Sequence, residues 1–482
     1  MTLRTRIAHA LLPLGAVAAL LVAAAPAGAQ SAASPWGAPV AIPAGLRGQE
    51  LHVNPSGLGM LLSTASSGSS SVGQLVASRW SPDGTFAAPV PFAPEGYVGA
   101  TAADHVFAPY ASDHLVAAGV VNDADGRVWI GTGRMGARLD AVNLMADAWH
   151  AVDVQTAANA HGDLATLVVA CPTRSAAGCT TNRRLLLSVR RSGHARQTIV
   201  VDSGYLRNQI ALATNERGDL LVVYAKRDSK RRTHVYARIR TLSGRWQGRR
   251  DLGLGDYGDA VAAALGEARR AAVVWLKQSV SECEPGPDNA VFAAAAGLGG
   301  RWSATRRLAS WGNVTCGHYV AGPGVAAAFS RDDRRRAVIA WTARSAGAAG
   351  VFSVHDAVVA SGAISGDRRI SDPAVHTVLS GLDVTAAGQA ALVMTTNKAG
   401  ADPAFAPGAT TPTGEHVLAA TTPALTTPFG ALEDVSTNGP GEVLDGAAVA
   451  IDPVSTRALA AWSPIATGAT VQTSVRSPIR PT

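Results

Sequence analysis

Short apolar runs recur along the chain at intervals of roughly 50 residues, the spacing expected of a structural repeat. Eight of them align: "GLGMLLSTA" (57–65), "DHLVAAGVV" (113–121), "GDLATLVVA" (162–170), "GDLLVVYAK" (218–226), "RRAAVVWLK" (269–277), "RRAVIAWTA" (335–343), "GQAALVMTT" (388–396) and "TRALAAWSP" (456–464). Each opens on a polar turn and continues in Val, Ala, Leu and Ile, which suits a strand buried on both faces. A smaller apolar run precedes it, as in "QIALATNERG" or "AVAAALGEA". A third follows after a variable loop, as in "HVYARIRTLSG", and a fourth follows at once, as in "RWQGRRDLG" and "RWSATRRLAS".

Four short strands per unit, joined by Gly, Asp, Asn and Ser turns, predict the blade of a β-propeller. The fold expected is all-β, a single closed ring of four-stranded antiparallel blades. Eight blades fit the phrase count, and seven is the alternative if the weak unit at 105–145 is absorbed by its neighbours. The two ends of the chain complete each other. The last unit supplies "EVLDGAAVAID", "RALAAWSPI" and "TVQTSVRSP" and then stops, while "PWGAPVAIP" (35–43) reads as the missing fourth strand. Trp36 stands there where Trp246 and Trp302 open their own fourth strands. An N-terminal strand in the last blade closes the ring and removes exposed sheet edges. Tyr224, Trp275, Trp341 and Trp462 recur at matching positions of the second strands, and this repetition assigns them to packing between blades rather than to a sugar platform.

The first residues follow a different pattern. Arg4 and Arg6 precede an apolar run from Ala10 to Ala25, and Ala27-Gly28-Ala29 ends it. This is the organisation of a secretory signal, expected to be cleaved after Ala29, with residues 30–482 forming the propeller. Pro13, Gly15 and Pro26 interrupt the run and argue against a retained anchor. No later apolar run is long enough to span a membrane, so a secreted location is expected.

The formal charge of +7 comes from basic side chains that are nearly all arginine. The runs "KRDSKRRTH" (226–234) and "RDDRRRA" (331–337) are short and fall in separate turns. Nucleic-acid binding calls for a concentrated basic stripe, so it is not expected. Four cysteines in an exported chain imply two disulfides, with three pairings open. Cys171–Cys179 and Cys283–Cys316 are expected from the loops they occupy. No CxxC pair is present, which argues against zinc.

Motifs with a reaction attached are scarce. Gly-x-Ser-x-Gly, His-Glu-x-x-His and a P-loop do not occur. "NDADGR" (122–127) has only part of a calcium loop, with Val121 at the first ligand position, and reads as an Asp-Gly hairpin. The twelve histidines are scattered. No cofactor or metal is expected.

In repeat style the chain resembles secreted bacterial β-propellers, sialidase-like ones among them, on phrases such as "GDLLVVYAK" and "GGRWSATRRLA". The resemblance implies the fold and no reaction. "SPDGTF" (81–86) is two residues too short for the family's Asp-box, and no Arg-Ile-Pro signature opens the mature chain, so the catalytic arginine cluster does not carry over.

A propeller meander sends the connections after strands two and four to one rim, and those after one and three to the other. The long segments 171–184, 277–289 and 396–416 follow second strands, while 93–105 and 310–320 follow fourth strands. All four cysteines fall on this rim. Ligand or partner contact is expected there, around an axial mouth where Glu50, Asn208, Asp259, Asp445, Arg47, Arg207 and Tyr257 converge. The leading expectation is a non-catalytic module binding an extracellular glycan, cell-wall polymer or protein. The alternatives are a glycoside hydrolase or polysaccharide lyase using axial carboxylates, and a structural envelope protein.

Overall fold

The computed structural model describes residues 35–42, 46–65, 74–81, 84–93, 105–110, 113–121, 125–146, 148–174, 179, 181–255, 260–277, 289–311, 324–330, 335–344, 351–373, 375–397, 415–436, 444–464 and 470–480. For 46–49, 105–107, 109, 110, 397, 445 and 446 it describes the backbone only.

These residues form eight four-stranded antiparallel sheets. Seven are simple meanders; the fourth blade, for example, runs Leu206–Thr214, Leu220–Arg227, Thr233–Arg240 and Arg250–Gly255. The unit at 105–145 is a full blade, His105–Tyr110 to Leu139–Leu144, so the count is eight rather than seven. All eight repeated phrases are second strands.

The eighth blade is built from both ends of the chain. Leu444–Ile451, Ala458–Pro464 and Gln472–Val475 are followed in the sheet by Val40–Ala41, with Val40 opposite Thr473 and Ala41 opposite Gln472. Trp36 bridges to Arg476 as Trp246 bridges to Arg240 and Trp302 to Ala296, which places the three tryptophans at equivalent sites.

The alternation of side chains across a strand explains why second strands are apolar throughout. Leu220, Val222 and Tyr224 pack against the third blade, whereas Leu221 and Val223 pack against the fifth. Every neighbouring pair of blades shares such an apolar layer, the first and eighth included. Tyr224, Trp275, Trp341 and Trp462 are fully buried in these layers, each facing the preceding blade. The indole of Trp275 also donates to the Leu254 carbonyl of that blade (3.0 Å) and stacks on Phe292.

The rim of short turns is stitched blade to blade. Asn159 caps its own turn through His161 and Asp163, and its amide donates to the Asn215 carbonyl (3.3 Å). Asn215 repeats the device one blade on, donating to the Gly266 carbonyl (3.1 Å). Asx turns of this kind spare the backbone a separate partner.

Candidate functional site

On the loop-rich rim, blade three is tied by side chains to blade two on one side and to blade four on the other. Cys171 ends the second strand of blade three, and Cys179 is disulfide-bonded to it with a Cα separation of 5.5 Å. Cys283 and Cys316 lie outside the described residues. The disulfide folds the connection back on itself, and neighbouring side chains then hold it. Arg183, which opens the third strand, donates through Nε to the Cys179 carbonyl (3.0 Å) and through Nη1 to the Leu206 carbonyl of blade four (3.0 Å). One guanidinium thus ties the stapled loop to the next blade.

The crossing between these blades is unusually tight. Gln197–Gly204 ends blade three and Leu206–Thr214 begins blade four, which leaves Tyr205 alone between them. Gly204 has φ +113°, a conformation that glycine tolerates at little cost, and a Cβ there would lie 3.5 Å from Lys226 Cε. The first strand of blade four then bulges: Leu206 pairs with Lys226 but the next pair is Ile210 with Tyr224. Residues thrown out of a ladder in this way are re-aimed. Arg207 and Asn208 are two of them, and Asn208 is exposed.

Two guanidiniums converge on the Tyr205 ring, Arg227 at 4.8 Å and Arg207 at 5.8 Å from its centroid. Burial, then the charge of Arg207, lowers the pKa of Arg183, so Arg183 and Arg207 stand close enough to repel. Beside them Asp202 accepts from Lys226 (2.7 Å), Tyr224 (2.7 Å) and Arg249 (3.2 Å). Burial raises the Asp202 carboxyl, but the hydrogen bonds from Lys226 and Tyr224 outweigh it and hold the group below the ordinary aspartate range.

A second station of similar chemistry lies on the same rim. The Arg174 guanidinium sits 4.7 Å from the Trp149 centroid and 3.7 Å from Asp125 of blade two. His150, held at φ 45°, donates from Nε2 to the Arg174 carbonyl (2.6 Å), and its backbone N–H donates to the Asp125 carbonyl (2.8 Å). A left-handed non-glycine residue costs about 1–3 kcal/mol and persists only where surrounding contacts hold it.

The seven axial candidates are placed unevenly. Arg207 and Asn208 belong to the junction just described. Glu50 is half-buried on the first strand of blade one and pairs with Leu62 inside a regular ladder. Leu51 and Val53 pack toward blade eight, so Glu50 and His52 face the other way. Arg47 and Asp445 occupy strand positions beside register shifts, with only their backbones described. Tyr257 and Asp259 lie outside the described residues.

Sequence reading missed Trp149, Arg174, Arg183, Tyr205 and Arg227. Their signal was positional: the starts of odd strands and the ends of even strands all reach this rim. The opposite rim carries an open groove past His161, Glu216, Arg217 and Arg269, but its carboxylates are engaged in fastening turns. Asp163 accepts from Arg191 (3.2 Å), and Glu267 pairs with Arg217 (3.0 Å).

No family model and no curated protein matches the chain. Solved structures do. A protein of unknown function from Dyadobacter fermentans is 10% identical, covering 92% of this chain and 99% of its own, with a TM-score of 0.37. A mutant of NanB sialidase from Streptococcus pneumoniae is 10% identical, covering 90% of this chain and 68% of its own, with a TM-score of 0.38. An α-L-arabinofuranosidase from Fusarium graminearum is 12% identical, covering 78% of this chain and 93% of its own, with a TM-score of 0.35. The fold assignment rests on the strand order of the ring itself.

Proposed function

We propose that the chain is an exported β-propeller that captures a ligand or partner, an extracellular glycan, cell-wall polymer or protein, on its loop-rich rim. One observation carries the reading: Arg183 joins the disulfide-stapled loop of blade three to blade four, beside Tyr205 and Arg207. A rim held this way presents its polar side chains with little ordering left to be done on binding. The disulfide, and the lack of a helix long and apolar enough to cross a membrane among the described residues, are compatible with an extracellular location.

The test is an array of glycans and wall polymers probed with the wild type and two variants. One carries Arg207→Ala and Asn208→Ala; the other carries Glu267→Ala and Arg269→Ala on the opposite rim. Loss of binding in the first variant alone supports the proposal, and loss in the second alone overturns it. The hydrolase reading rests on Glu50, Asp259 and Asp445. Turnover of a chromogenic glycoside by the wild type, abolished by Glu50→Gln, would replace the binding reading with that one.

A further inference from the structure

We propose that the rim of short turns carries a second site, independent of the loop-rich rim: a groove across blades three to six that holds an extended protein segment bearing carboxylates and an aliphatic side chain. The groove runs between two rows of turns. Connections between first and second strands, with His161, Arg217 and Arg269, form its inner wall, and connections between third and fourth strands, with Leu242 and Leu298, form its outer wall. Its volume is about 770 Å³, and beyond Leu298 a hollow of about 780 Å³ continues beside Arg301 and Trp302. Both are of the size that ligand sites take. The walls are fixed before a partner arrives. Along the inner row the Asn159 amide donates to the Asn215 carbonyl and the Asn215 amide to the Gly266 carbonyl, while along the outer row Gln247 Nε2 donates to the Gly299 carbonyl (2.9 Å).

Charge selects the partner. Arg240, Arg269 and Arg301 make no side-chain hydrogen bond or ion pair among the described residues. Arg240 is only 8% exposed and lies under the turn that carries Leu242, with its Nη2 3.1 Å from the place a Cβ on Gly244 would take. Burial, and then the nearby charge of Arg191, lowers its pKa, the direction expected of a cation without a counter-ion. Arg269 stands two residues before a second strand, where four other blades use glycine. Gly57, Gly162, Gly218 and Gly388 hold φ between +77° and +87° there, whereas Arg269 holds φ +60° and Ala268 before it φ +53°. Left-handed backbone is costly for a residue with a Cβ. The fold gives no hydrogen bond in return, because Arg269 Nε is buried without an acceptor. The groove's carboxylates, by contrast, are engaged: Asp163 with Arg191, Glu216 with the Ala160 N–H (3.0 Å) and Asp219 with the Leu242 N–H (2.9 Å).

The apolar relief of the groove points to protein rather than sugar. Leu242 and Leu298 are 54% and 63% exposed, and each stands four residues before the tryptophan that opens its fourth strand. Exposed aliphatic side chains repeated along one wall mark a protein contact. An extended segment laid along the arc would set an aliphatic side chain against these leucines and carboxylates toward Arg269 and Arg301.

The experiment selects a phage-displayed library of random dodecapeptides on the full chain and measures the enriched peptide, fluorescein-labelled, by anisotropy. The variants are Leu298→Ser, Arg301→Glu and Arg269→Gly, the last of which installs the residue that the other blades use. Enriched peptides are expected to combine Asp or Glu with Leu, Ile or Val. Each variant should weaken the labelled peptide about ten- to hundredfold, and affinity should fall with salt. Arg269→Gly should at the same time keep or raise the melting temperature, because it relieves the strained turn. No enrichment, enrichment of basic peptides, or indifference to all three variants overturns the inference. So does a lowered melting temperature with unchanged affinity in Arg269→Gly, which would make the arginine structural. A glycan whose binding is lost in Leu298→Ser would assign the groove to sugar and overturn it as well. The double variant Arg207→Ala, Asn208→Ala should leave peptide binding unchanged; loss of the peptide there alone would move the site to the loop-rich rim.

Discussion

Val40 and Thr473 lie opposite each other in one antiparallel ladder, although almost the whole chain separates them. The Thr473 hydroxyl donates to the Val40 carbonyl (3.1 Å), and the Ser474 hydroxyl donates to the Gly37 carbonyl (2.7 Å). The ring is closed by these contacts and by Trp36, whose indole donates to Glu433 of blade seven (2.7 Å). Deleting residues 35–42 is therefore expected to lower the melting temperature and to expose the strand Gln472–Val475 as a free edge. Trp36→Ala alone should cost about 3–5 kcal/mol, the range for a large buried aromatic. An unchanged melting curve in both variants would mean that the N-terminal strand does not close the ring in solution.

The inter-blade layers predict a contrast between two tryptophans of neighbouring blades. Trp275 is fully buried and hydrogen-bonded across the junction, so Trp275→Ala should destabilise by about 3–5 kcal/mol. Trp246 is half-buried beneath Arg238 (4.5 Å), so Trp246→Ala should cost clearly less. Denaturant unfolding of the two variants, read by far-UV dichroism, decides between this ranking and its reverse.

Architecture was legible in the sequence because it is repeated. Val222 and Val223 must face different neighbours, and the only way to satisfy both is an apolar strand, so the same phrase returns wherever a second strand is needed. The site was legible only in part, for a physical reason. Arg207 and Asn208 attract notice as polar residues at the start of an apolar strand, but Arg183 and Arg227 look like ordinary strand-end arginines. What joins them is a one-residue blade crossing at Tyr205 and a bulge at 207–209, and neither leaves a composition signal. Glu50 and Asn208 are grouped at the axial mouth on sequence alone. The register instead sets Glu50 past the bulge, in a regular pair with Leu62, because blade one leaves its own bulge earlier, between Arg47 and Gln49.

Asp202 carries a pH prediction with a definite sign. Its carboxyl is held low in the folded protein, so the unfolded chain takes up its proton first as pH falls. The stabilisation it provides is present above the unfolded aspartate value, near pH 4, and is lost as pH drops through the lower folded value. Asp202→Asn should thus be less stable than the wild type at pH 7, by about 1.5–3 kcal/mol for hydrogen bonds to a charged group. Urea midpoints measured at pH 7 and again below pH 3 should converge; a gap of constant size would assign the loss to packing rather than to charge.

The disulfide links stability to the proposed site. Closing the eight-residue separation between Cys171 and Cys179 restricts the unfolded chain, which by loop-closure entropy is worth about 2–3 kcal/mol. The larger consequence is local. The Cys179 carbonyl is one of the two acceptors that fix Arg183, and Arg183 in turn holds blade four at Leu206. Cys179→Ser should therefore weaken ligand capture by more than its effect on global unfolding accounts for, because the loop carbonyl no longer has a fixed place from which to orient the guanidinium. Hydrogen exchange should report the same change as faster exchange along 181–184 and at 206–208, with the blades on the far side of the ring unaffected. Peptide mapping without reductant is the necessary companion measurement. A Cys171 thiol found free in the wild type, or slow exchange kept at Arg183 and Leu206 after Cys179→Ser, would show that the junction is held by blade packing and not by the stapled loop.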